Sequence, residues 1–106
     1  MIDRLHAVVR ERGPAWDRAV PLREQELWPE HASYMDALVA EGFIVLGGPL
    51  ADGERVLFAV RAQDEGAIHK RFAGDPWSKR SLLITVSIDP WTILLDGRDV
   101  QEAVDG

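Results

Sequence analysis

The chain has 106 residues, with 12 Lys and Arg against 18 Asp and Glu, a formal net charge of −6, and no cysteine. That length suits one domain with one core and leaves no room for a separate cofactor domain, while the missing thiols exclude disulfide frameworks, cysteine nucleophiles and Cys-based metal sites and suit a reducing cytoplasm. Acidic and basic residues are interspersed, no apolar run reaches the length of a membrane span, and Met1-Ile2-Asp3-Arg4-Leu5 lacks the character of a signal peptide. Neither nucleic acid nor a membrane is therefore expected as a partner, and the expected location is cytoplasmic.

Leu5 to Arg10 is short and apolar and predicts a first strand, ended by Gly13-Pro14 and followed by a polar loop over 12–24. From Leu27 the spacing changes, because Leu27, His31, Tyr34, Met35, Leu38 and Val39 recur at three- and four-residue intervals. This predicts a helix with Pro29 in its first turn, closed by Gly42. Phe43 to Leu46 reads as a second strand and Arg55 to Arg61 as a third, with Asp52-Gly53 as the hairpin turn between them. Asp64 is placed to cap a second helix that carries Ala67, Ile68 and Phe72 inward and stops near Gly74. Gly66 costs that helix about 1 kcal/mol relative to Ala. A last strand runs from about Leu82 to Ile88 and resumes after Pro90 as Trp91 to Leu95. Residues 1–97 then form the domain, and 98–106 a frayed tail or short docking helix.

The order is βαββαβ, the split βαβ arrangement of an α+β, ferredoxin-like domain: a four-stranded antiparallel sheet with two helices on one face. Its strands are apolar on both sides. Val56, Phe58 and Val60 alternate with Leu57 and Ala59, and Leu82, Ile84, Val86 and Ile88 with Leu83. Two helices cover one face only, so a homodimer is expected on the other, driven by side chains such as Phe58, Val60 or Ile84. The alternative is a monomer with a half-wet sheet. The pattern leaves open which parity faces the helices.

Several stretches resemble one known family. They are Gly13-Pro14-Ala15-Trp16-Asp17, Arg23-Glu24-Gln25, Glu30-His31-Ala32, Leu38-Val39-Ala40-Glu41-Gly42-Phe43, Gly47-Gly48-Pro49-Leu50, Asp75-Pro76-Trp77 and Pro90-Trp91-Thr92-Ile93-Leu94-Leu95. In order and spacing, over roughly residues 5 to 97, they resemble the YciI-like (YCII-related) proteins. The resemblance implies a dimeric α+β barrel, a pocket at the sheet–helix junction, and a catalytic His–Asp pair at His31 and Asp75. A few relatives of that family resemble dehydrochlorinases or muconolactone-isomerase-type enzymes, which move protons on small cyclic compounds. The chain departs from the pattern in a slightly longer lead-in and in the basic run Ser78-Lys79-Arg80-Ser81.

The residues also carry their own argument. His31 shares a helix face with Leu27, Tyr34 and Leu38, so its ring points to the sheet, where a neutral imidazole can take or give a proton; the bland alternative is a core histidine bonded to a carbonyl. Asp75 would accept the other ring N–H, or would be a plain turn initiator before Pro76. Gly47, Gly48 and Pro49 would let a ligand approach the backbone, or would form a bulge. Trp28 and Trp77 neighbour the pair and are candidate pocket walls, Arg23 a candidate carboxylate binder, and Tyr34 a candidate second proton donor; solvation or core packing is the alternative for each. His6, His31 and His69 match no metal-ligand spacing, so no metal and no cofactor is expected. Two functions follow: a cofactor-free acid/base lyase or isomerase acting on a small cyclic or carboxylated metabolite, or a non-catalytic small-molecule-binding or accessory module. The basic and aromatic strand signature of an RNA-binding domain is missing.

Overall fold

The computed structural model describes residues 5–98. In chain order they form β1 (Leu5–Arg12), a short 3₁₀ turn (Leu22–Glu24), α1 (Trp28–Ala40), β2 (Ile44–Pro49), β3 (Arg55–Arg61), α2 (Glu65–Ala73), α3 (Pro76–Lys79) and β4 (Leu83–Trp91). The four strands make one antiparallel sheet in the order β2-β3-β1-β4. The Asp64 carboxylate accepts from the Ala67 amide at 2.8 Å and so starts α2. Gly42, at φ +83°, lets the chain leave α1 in the left-handed region that a side chain disfavours.

The boundaries differ from the sequence reading in instructive places. Strands β1 and β2 run on to Arg12 and Pro49, because pairing with β3 continues as far as Glu11 with Arg55 and Pro49 with Val56. Helix α3 was not foreseen; Asp75-Pro76, read as a turn, caps and opens it. Strand β4 passes through Pro90 without a break, since an edge strand needs no N–H on its open side. Of the expected tail 98–106, all but Arg98 lies outside the described residues.

Register decides which side chains meet the helices. His6, Val8 and Arg10 stand opposite Val60, Phe58 and Val56 on one face, and Leu5, Ala7 and Val9 opposite Arg61, Ala59 and Leu57 on the other. The first face is covered: Val8, Phe58 and Val60 pack with Leu38, Ile68 and Phe72 from α1 and α2. Phe58 and Val60 are therefore helix-side core residues and do not drive an outer contact. Strand β4 also departs from simple alternation. Ser87 opposes Val9 while Thr85 opposes Arg10, so Val86 is an extra residue that reverses the parity of the strand. Leu83 and Ile88 both turn inward, whereas Ile84 and Val86 are exposed. At the far end of the helix-covered face a second cluster, Trp16, Trp77, Leu82 and Leu83, packs with Leu27 and Trp28. The candidate site lies beside it.

Candidate active site

Helix α1 presents His31 inward about one turn from its start, and α3 begins where its N-cap residue, Asp75, can face it. The His31 Nδ1 and an Asp75 oxygen are 2.8 Å apart. That oxygen also accepts from the Trp77 amide at 3.0 Å, the capping bond of α3. The second Asp75 oxygen accepts from Arg10 Nη1 at 3.0 Å. Arg10 further donates to the Ser78 hydroxyl and, at 3.4 Å, to the Leu83 carbonyl, and its guanidinium lies 4.8 Å from the Phe72 ring centre. Arg10 and Asp75 are essentially out of water, at 1% and 0% exposure, so each charge depends on the other.

Burial pushes the Asp75 carboxyl up, but the hydrogen bond and charge of His31, the Trp77 amide and Arg10 outweigh it and hold the group below the usual aspartate range. Burial likewise pulls the Arg10 guanidinium down, with Asp75 opposing. An ionised carboxylate can only accept, so the proton of a neutral His31 sits on Nδ1 and the Nε2 lone pair is left open. The ring is fixed a second way, stacked on Trp77 at 3.8 Å and 8°. Trp77 is itself anchored by its indole N–H to the Glu26 carbonyl at 2.6 Å and by the edge of Trp16 at 5.2 Å.

His31 borders a cavity of about 490 Å³. Trp16, Trp28 and Trp77 form its aromatic walls, and Gly47, Gly48 and Pro49 run along its strand edge. These glycines are regular strand, in register with Phe58 and Leu57; the irregularity of β2 lies at Val45 instead. A Cβ at Gly47 would fall 2.5 Å from the Phe58 ring, while one at Gly48 would meet nothing within 4 Å.

Compared with protein-family models, curated proteins and solved structures, the chain matches none.

The structure thus brings His31, Asp75, Trp28, Trp77, Gly47, Gly48 and Pro49 together. Two sequence candidates go elsewhere. Arg23 sits exposed on the 3₁₀ turn, 6.0 Å from the Trp28 ring centre, and is not among the residues that line the cavity. The Tyr34 hydroxyl donates to the Arg71 carbonyl and presses against Gly74, so it ties α1 to α2 and is not a proton donor to the cavity. Two arginines were missed, Arg10 on the second Asp75 oxygen and Arg12 on the cavity wall. A signal existed: strand alternation puts both on the face of Val8, where a buried guanidinium demands a carboxylate. Among the described residues no group of three or more His, Asp or Glu is placed to hold a metal ion.

Proposed function

We propose that this chain is a YciI-like protein with the ferredoxin-like, dimeric α+β barrel fold, and that it is a cofactor-free acid/base enzyme of the lyase or isomerase type. The observation that carries the reading is His31, held at Nδ1 by a buried carboxylate, flat on Trp77 and on the wall of an apolar cavity. The element order and the sheet order β2-β3-β1-β4 support the family's fold. The apolar outer face, Ala7, Val9, Leu57 and Ala59 with the exposed Leu46 and Ile84, supports the homodimer.

In this reading His31 Nε2 removes a proton from a ring carbon next to a carbonyl, and the electron pair moves onto the carbonyl oxygen. The imidazolium returns the proton at another carbon in an isomerisation. In an elimination the electron pair expels an anionic leaving group, and the proton passes to water. Asp75 stabilises the imidazolium, and Arg10 keeps Asp75 ionised and correctly aimed.

A second reading, a non-catalytic ligand-binding or accessory module, draws on the same burial, since a closed Arg10–Asp75–His31 network also serves as a structural tie. The two are separated by following deuterium uptake from D₂O into cyclic ketones and unsaturated lactones by NMR. The enzyme reading expects exchange that His31→Gln slows by about a hundredfold or more. Binding without exchange, or exchange indifferent to His31, supports the module.

A further inference from the structure

Arg12 follows Arg10 along the same inward face of β1, but its circumstances are opposite. Arg10 is sealed against Asp75. Arg12 keeps 26% of its side chain in solvent, lies 4.3 Å from the Trp16 ring centre and forms part of the cavity wall. Its one counter-charge among the described residues is Glu54, at a loose 3.5 Å. Both Glu54 oxygens are already taken by Arg18 Nη1, at 2.7 and 2.6 Å. Among the described residues the Arg12 guanidinium donates no hydrogen bond to a side chain or carbonyl, and its planar fork of N–H donors is partly exposed to solvent. Arg12 and Arg18 face Glu54, and the adjoining Asp52 is matched by Arg55, so three arginines against two carboxylates leave one excess positive charge there, on a chain whose net charge is −6. Among the described residues no carboxylate lines the cavity to oppose it.

We infer that Arg12 is the specificity-determining residue of this site, and that the ligand is a planar ring bearing one carboxylate. This rests on the reading of the cavity as the substrate site. The ring lies against Trp28, the half-buried indole of the three, with the buried Trp16 and Trp77 completing the apolar wall. The carboxylate takes the Arg12 fork in two parallel hydrogen bonds, which also sets which ring carbon is offered to His31. A single carboxylate matches a single excess charge; a phosphate dianion would bring a second charge towards Glu54, where Arg18 is already paired. Stacking on Trp16 keeps the guanidinium plane fixed, so little rotamer entropy is lost on binding.

The test uses 2-naphthoate and 2-naphthamide, of nearly equal shape and different charge, titrated by calorimetry into the full chain. Wild type is expected to prefer the acid by about tenfold to a hundredfold. Arg12→Gln should erase that preference by weakening acid binding alone; unchanged amide binding shows that the variant is folded. Glu54→Gln removes the competing carboxylate and should tighten acid binding by about threefold, a gain that misfolding cannot mimic. Arg23→Gln, outside the cavity, should change neither. Equal affinity for acid and amide, no binding of the acid by wild type, or a loss in Arg12→Gln shared by both probes would overturn the inference. An Arg12-dependent acid preference without any proton exchange leaves the carboxylate subsite standing and removes only the catalytic reading. His31-dependent exchange without an acid preference does the reverse.

Discussion

Replacing Asp75 by Asn isolates what its charge contributes. Asparagine is nearly isosteric, and its carbonyl oxygen can still accept from the Trp77 amide and from His31 Nδ1, so the cap of α3 and the hold on His31 survive. What fails is the other oxygen: an amide NH₂ now faces Arg10 Nη1, donor against donor, at a position where the carboxylate contact is 3.0 Å. Arg10, 1% exposed, is left with the Ser78 hydroxyl and a long bond to the Leu83 carbonyl. Breaking a buried pair by removing one partner costs about 3–5 kcal/mol, a large part of the stability of a domain this size. The thermal midpoint should fall by more than about 10 °C. Urea unfolding of Asp75→Asn, Arg10→Met and the double variant closes the cycle. If the stranded guanidinium is the cause, the double variant should be more stable than Asp75→Asn by about 1.5 kcal/mol or more, because methionine refills the site beside Phe72 without a charge. A loss below about 1 kcal/mol in Asp75→Asn, or losses that simply add, would refute the reasoning.

The pH dependence follows with its sign. The Asp75 pKa is lower in the folded chain than the ordinary 3.8, so its charge stabilises the fold above that value and the contribution disappears as pH falls through the lowered one. Urea midpoints taken downward from about pH 5 should therefore drop more steeply for wild type than for the Asp75→Asn, Arg10→Met double variant; parallel curves would count against it. Gly47→Ala must displace Phe58 and should cost about 1–3 kcal/mol, whereas Gly48→Ala, with open space around it, should stay within about 0.5 kcal/mol, both read by thermal unfolding. On the outer face, Leu57→Glu should convert a dimer that persists at low micromolar concentration into monomer. A wild type that already sediments as monomer in that range would remove the dimer from the proposal.

Much of the local structure was legible because it obeys local rules. The three- and four-residue spacing from His31 to Leu38 does form α1, Asp64 does cap α2, and Arg55 to Arg61 is a strand with the bounds that its residues predict. His31 could be singled out because an inward histidine is visible in one dimension, whereas Asp75, read from its own residues as a turn, was paired with it only through the resemblance to the YciI-like proteins. The errors fall where periodicity cannot reach. Alternation along β4 assigned Leu82, Ile84, Val86 and Ile88 to one face, and a bulge at Val86 undid it, since an extra residue is specified by pairing with β1 and not by β4 alone.

What the amino-acid order determined by itself, then, was the kind and succession of elements: backbone preference and side-chain period act over a few residues. The site was decided by tertiary structure. His31 and Asp75 are 44 positions apart, and Arg10 and Asp75 are 65 apart. Their meeting depends on β1 lying between β3 and β4 with α1 and α3 above it, a matter of how the apolar faces pack. The same packing sent Arg23 and Tyr34 away from the cavity and brought Arg12 to its mouth. A strand's alternation states that two arginines share a face; only the neighbouring elements decide that one meets a buried carboxylate and the other meets open solvent.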